Sequence, residues 1–196
     1  MAFAYPASMA RLKPDESARE GLRILGGCVL AAVCYGIALD LVTIVFYPSY
    51  LSFFHPPLGR LHNPLLLAFA WGILGSWWVG VAGSLPVMAV AGIGKRPPAT
   101  WKGIAPELLV MLGVSFLLAN LVGLAGYLYP EGVGSSMIGG FAGMADFTPH
   151  VFDDRGFIAM YVQHAVSYRL AAIACIVLLA RIPAKRRIGP SRPGDL

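Results

Sequence analysis

Two ionisable residues, Asp40 and Arg169, fall inside long apolar runs of this chain. A charge in such a run is costly, so each is a functional candidate by default and each calls for a partner. Counted at about 1.5 Å of rise per helical residue from the basic ends of their runs, the two reach similar depths, and an Asp40–Arg169 pair is expected. Its plain role would be a buried ion pair that fixes helix register; its sharper role would be a proton or ion site. Four histidines, His55, His62, His150 and His164, together with Asp146, Asp153 and Asp154, supply the nitrogen and oxygen donors that bind zinc, copper or iron. None is spaced as HxH, HxxxH or HExxH, so convergence on a metal would rest on the fold, and interfacial histidines without metal are the expectation. With Gln163 and Tyr168, the histidines make up a candidate outer polar cluster.

Other chemistry is poorly supported. There is no GxSxG, no Walker loop, no GxGxxG after a strand and no pair of acids at helical spacing within an apolar run, so no catalytic residue is assigned. Ser167 lies about one turn from His164, but a hydroxyl in a membrane helix usually bonds back to its own backbone. His164 alone on a run is a weak case for haem, and no cofactor is expected. Cys28, Cys34 and Cys175 all sit in apolar segments without CxxC spacing, which reads as buried inert thiols. Trp71, Trp77 and Trp78 read as packing residues and lipid anchors.

The elements that must position these residues are membrane spans. Of 196 residues, 57% are hydrophobic and only 13% charged, with a mean hydropathy of +0.68, far from the balance of a soluble domain. The fold class is all-α, a single polytopic membrane domain with four transmembrane helices over about 24–47, 64–93, 106–128 and 157–182. A long outer loop over about 129–156 joins the last two. Its apolar middle, Met137 to Phe147, is too short to span and is expected to rest partly embedded on the helices. Residues Met1 to Glu20 lack the plan of a secretory signal, so they are expected to stay on the protein. Lys13-Pro14-Asp15-Glu16 has the composition of a helix start, and Asn63-Pro64 that of a cap and first turn. Pro86 should bend the second span, and Trp101 with Lys102 should anchor the start of the third at the interface.

Twelve Lys and Arg flank one side of these runs and only Arg60 and Arg155 the other. By the positive-inside rule both termini are cytoplasmic and all four histidines lie in the outer half, as in a multi-pass protein of a bacterial inner membrane. The net charge of +5 thus belongs to span orientation and anionic headgroups, and nucleic acid is not an expected partner.

The second span carries Ala68, Gly72, Ser76, Gly80 and Ser84 at a fixed four-residue spacing. Such ladders let backbones approach closely in lipid. A four-residue step over-rotates by about 40° against the helical repeat, so the ladder winds and should serve more than one neighbour. Ser115, Ala119 and Gly123 repeat the spacing in the third span, which makes that span its expected partner.

Asp40-x-Val42-Thr43, His55-Pro56-Pro57, Trp71-Gly72, Trp77-Trp78-Val79-Gly80, Arg96-Pro97 and His164-x-x-Ser167-Tyr168 together resemble a group of small bacterial four-helix integral membrane proteins. The resemblance touches about half the chain and implies a multispan architecture without an assigned activity. The functional expectation is a non-catalytic packing or accessory subunit that meets lipid and binds other membrane proteins, or itself, through its glycine faces. The alternative is a small transporter or a metal- or proton-handling protein that uses the outer His and Asp residues and the Asp40–Arg169 pair.

Overall fold

In the computed structural model, residues 14–53, 55–92, 98–131 and 155–188 are described. Four long helices, α1 (Pro14–Phe46), α3 (Pro64–Gly92), α4 (Trp101–Leu128) and α5 (Arg155–Ile188), are joined by one short helix, α2 (Tyr50–Phe53). Among the described residues there is no strand. All four long helices are long and apolar enough to cross a membrane. The part of the outer loop from 132 to 154, including Met137 to Phe147, Asp146, His150, Asp153 and Asp154, lies outside the described residues.

The helix ends follow from local chemistry. Pro14, Asp15 and Glu16 open α1, where a missing N–H is no loss and acids meet the positive end of the dipole. Asn63 caps α3, its Oδ1 accepting the Leu66 N–H at 3.2 Å. The start of α4 falls at Trp101, several residues before the expected 106, because Glu20 of α1 reaches across and accepts the Trp101 backbone N–H. Likewise α1 begins about ten residues before its apolar run: the polar turns from Asp15 to Arg23 are helical even though they exceed the length that hydrocarbon requires.

Helix pairing corrects one expectation. The small-residue ladder of α3 packs chiefly on α1, and the third span pairs with α5 instead. A Cβ added at Gly72 would lie 2.6 Å from Ile37 Cα, and one at Gly80 only 2.5 Å from Val29 Cα. In α4, a Cβ at Gly126 would come within 2.9 Å of Val162 Cγ2, and one at Gly123 within 3.2 Å of the Ala159 carbonyl. At Gly72 and Gly80 the close atoms are backbone and leave no room for a side chain, whereas at Gly126 the obstacle is the Val162 side chain and at Gly123 the spacing is tight rather than closed. The ladder does wind: Ala68 is buried in a cluster with Tyr50, Leu51, Phe157 and Met160, while Gly36 of α1 lies against Gly72 and Ser76. Ser84, also buried, donates its hydroxyl to Val81 O at 2.7 Å.

The bundle is therefore two tight antiparallel pairs, α1 with α3 and α4 with α5, set side by side. They touch along α1 and α4 and along α3 and α5, with α1 facing α5 across the middle. Hydrophobic clusters close both ends. One, at the end that carries α2, gathers Tyr50, Leu51, Leu67 and Phe157 to Met160; the other gathers Ile24, Cys28, Val87, Ala91, Ile104, Leu178 and Ile182 near the chain termini. Cys28 is buried as expected, but Cys34 is exposed on the outer face of α1; all three cysteines are free thiols.

Candidate functional site

Where α1 faces α5, the contact is polar, and it runs in antiparallel register. Tyr35 Oη lies 2.9 Å from Ser167 Oγ, Asp40 Oδ1 lies 3.5 Å from His164 Nε2, and Thr43 Oγ1 lies 3.3 Å from Gln163 Oε1. Asp40, Thr43, Gln163, His164 and Ser167 are all buried. From α4, Asn120 joins the line: its Oδ1 accepts from Gln163 Nε2 at 2.8 Å while its Nδ2 donates to Phe116 O at 2.7 Å. The single Thr43 hydroxyl hydrogen is shared with Leu39 O, which lies at 3.0 Å. Every polar side chain in this line thus has a protein partner, as burial away from water demands.

This arrangement replaces the expected Asp40–Arg169 pair. Among the described residues the ion-pair partner of Asp40 is His164, and Arg169 is exposed. Depth as well as direction separates them: Arg169 lies five residues, about 7.5 Å of helical rise, beyond His164 on the Ser167 side. Five residues separate His164 from Arg169, which turns Arg169 about 140° away around the helix from the face that carries Gln163, His164 and Ser167.

The histidine ring is held on two sides. Its Nδ1 lies 2.9 Å from the Met160 carbonyl, and its face stacks on Tyr50 with centroids 4.8 Å apart. A carbonyl oxygen can only accept, so Nδ1 carries a proton. Nε2 then points at a carboxylate oxygen, and two lone pairs would face each other if neither group were protonated. The arrangement that leaves no repulsion places one proton between Nε2 and Oδ1. It is written either as imidazolium with carboxylate or as imidazole with carboxylic acid. The chemistry available to the pair is reversible proton binding.

The remaining cluster residues divide. Tyr168 is exposed, with its ring edge-on to His164 at 6.3 Å. His62 is exposed and stands apart, and His150 lies outside the described residues. His55, on the connection between α2 and α3, is half-buried, its ring tilted against Trp71 with centroids 4.5 Å apart. His55 Nδ1 and Trp71 Nε1 are both buried and make no hydrogen bond; the Leu51 backbone is near enough to favour a protonated ring without bonding Nδ1 in normal geometry. Burial holds the His55 imidazole below its usual pKa; Asp40 opposes that shift and His164 adds to it. Among the described residues no three His, Cys, Asp or Glu side chains gather as they would around a metal ion.

Tyr35, Tyr50 and Asn120 are site residues that sequence reasoning passed over. Asn120 had a usable signal: a lone amide in an otherwise apolar run, one residue from the Ala119 and Gly123 stripe, is the kind of side chain that bonds across membrane helices.

Fold and site together define an all-helical protein with four helices long enough to cross a membrane and a buried polar line between its two helix pairs. No protein-family model, curated protein or solved structure matches the chain.

Proposed function

We propose that this chain is a multi-pass membrane protein that takes up and releases a proton at the Asp40–His164 pair, and that the proton controls how its two helix pairs meet. The observation that carries this reading is the burial of a carboxylate against an imidazole whose other nitrogen is already committed to a carbonyl. The pair also lies where the two helix pairs face each other, so a change in its charge acts on the contact between them. Gly72, Gly80, Gly123 and Gly126 pack within the chain, so the accessory-subunit reading would rest on other surfaces such as Gly75 and Gly83, where nothing lies within 4 Å of an added Cβ. The basic flanks of the runs support a bacterial inner membrane with both termini cytoplasmic and the α2 end outward.

The test is pH-difference infrared spectroscopy on the protein in lipid nanodiscs, scanned from about pH 5 to about pH 8. A carboxylic-acid carbonyl band that rises on acidification and is lost in Asp40→Asn supports the reading. A spectrum that Asp40→Asn leaves unchanged overturns it. Native mass spectrometry of the same preparation gives the competing outcome: recovery in a stable heteromeric complex, with no titrating band, would return the accessory reading to first place.

A further inference from the structure

We propose that the exposed face of α5 around Arg169 docks a transmembrane helix of another protein, and that this partner helix presents an Asp or Glu carboxylate to Arg169. The inference goes beyond the proton-binding reading and rests only on α5 spanning the bilayer. Arg169 stands fourteen residues from Arg155 and sixteen from Lys185, the ends of the apolar stretch of α5, or about 21 Å and about 24 Å of helical rise. A bilayer is about 40–45 Å thick with its headgroups and about 30 Å without them, so the Arg169 backbone lies near the middle. Long basic side chains snorkel to the interface from positions near a helix end. Arg169 is near neither.

Among the described residues nothing answers this cation. Arg169 is exposed and makes no hydrogen bond or ion pair with a described residue. One turn away on either side stand Ala165, Val166, Ala172 and Ile173, none of which can pair with a guanidinium. An arginine in hydrocarbon is costly enough that it faces a protein partner or a water-filled cavity as a rule. Here the surface around it is apolar: Ile173 is 55% exposed and Ile176 67%. Arg169, Ala172, Ile173 and Ile176 follow the i, i+3, i+4, i+7 spacing with which one helix meets another.

Charge decides the class of partner. A carboxylate is the side-chain group that a guanidinium binds through two parallel hydrogen bonds. A second copy of this chain does not supply one at that depth: among the described residues Asp40 is buried against His164, Glu107 is held by Arg181 and Lys185, and Asp15, Glu16 and Glu20 stand in the first two turns of α1. Two copies meeting through this face in a symmetric dimer would also bring two guanidinium groups together. Lipid phosphate has the right charge but lies at the headgroups, about half a bilayer from the Arg169 backbone. The face therefore fits a helix with one intramembrane acid, whose own charge is as costly in lipid as that of Arg169 until the two meet.

The experiment is photo-crosslinking of the full chain in its native membrane, with Ile173→benzoylphenylalanine on the proposed face and Leu74→benzoylphenylalanine on the exposed side of α3 as the control. Ile173→benzoylphenylalanine should crosslink to one apolar segment of another protein, in which mass spectrometry of the joined peptide finds an Asp or Glu, and the control should not. Arg169→Gln should lower the yield at least about tenfold without moving the unfolding midpoint in detergent, and Arg169→Lys should keep most of it. Arg169→Asp combined with replacement of the partner's acid by Arg should restore it. Crosslinks to lipid alone, a crosslink to a second copy of this chain, or a partner crosslink that Arg169→Gln leaves at full yield each overturn the proposal. A chain that alkaline carbonate strips from the membrane refutes the spanning reading itself and the proposal with it, so the two failures are distinct.

Discussion

Asp40 Oδ1 and His164 Nε2 face each other at 3.5 Å across the middle of the bundle, joining the first long helix to the last. Removing one member of a buried pair strands the other, which typically costs on the order of 3–5 kcal/mol, whereas removing both is much milder. Asp40→Leu and His164→Leu should therefore each lower the unfolding free energy in detergent strongly, and the double variant should recover much of the loss. Arg169→Gln, on an exposed side chain, should leave the unfolding midpoint where it is. An additive double variant, or a strong loss from Arg169→Gln, would restore the pairing that depth alone suggested.

Gln163 links three helices by accepting from Thr43 and donating to Asn120. Gln163→Leu removes the donor to Asn120 Oδ1 and leaves that part-buried oxygen without it. Hydrogen bonds between membrane helices average about 0.6 kcal/mol and reach about 1.7 kcal/mol, so a loss of about 1 kcal/mol is expected. Thr43 keeps its bond to Leu39 O and should not add to it. Gln163→Leu combined with Asn120→Leu should cost less than the sum of the two, measured as a double-variant cycle in a denaturing detergent.

These residues also show how far the sequence could be read. Four apolar runs were enough to place four helices, because length and hydropathy alone decide whether a segment suits hydrocarbon. The start of α1 was legible in Pro14-Asp15-Glu16, whereas the early start of α4 was hidden, since a helix runs on through polar turns when a cap such as Glu20 on the Trp101 N–H satisfies its end. The spacing of Gly72, Ser76 and Gly80 revealed a packing face but carried no information on its partner, and the partner proved to be α1. His164 was named among the polar candidates. That it, rather than Arg169, meets Asp40 follows from helix azimuth, which a count of depth ignores, and from a depth count that set Arg169 more than one helical turn too near Asp40. The four residues of α2, which bring Tyr50 onto His164, lie in a segment too short for periodicity to mark.

His55 gives the protein a pH dependence of predictable sign. Burial lowers its folded pKa from the usual value, so the unfolded chain binds a proton here more readily than the folded one. Its contribution to stability is complete above about pH 6.5, the ordinary imidazole value, and is lost as pH falls from there through the lowered folded pKa. Melting curves between about pH 8 and about pH 5 should show a steeper acid loss for wild type than for His55→Gln. Because every other side chain is the same in both proteins, the difference between the two curves isolates His55. Parallel curves would show that the ring is not desolvated in the membrane-embedded protein.

Glycines in the long helices sort into two kinds, and substitution should separate them. At Gly80 an added Cβ would lie 2.5 Å from Val29 Cα, and at Gly72 2.6 Å from Ile37 Cα, so the obstacle is backbone rather than the far end of a mobile side chain. Gly72→Ala and Gly80→Ala must push α1 away from α3, at about 1–3 kcal/mol or more for overpacking. At Gly75 and Gly83, on the same helix, nothing lies within 4 Å of the added atom. Alanine there gains about 0.5–1 kcal/mol of helix preference over glycine, which gives the opposite sign. Four alanine variants of α3 measured by thermal unfolding in one detergent are enough to decide. If Gly75→Ala and Gly83→Ala also destabilise the protein in lipid but not in detergent, those two positions meet a partner in the membrane. Association with another membrane protein or a second copy of this chain would then proceed through the outer face of α3 rather than through the ladder that packs on α1.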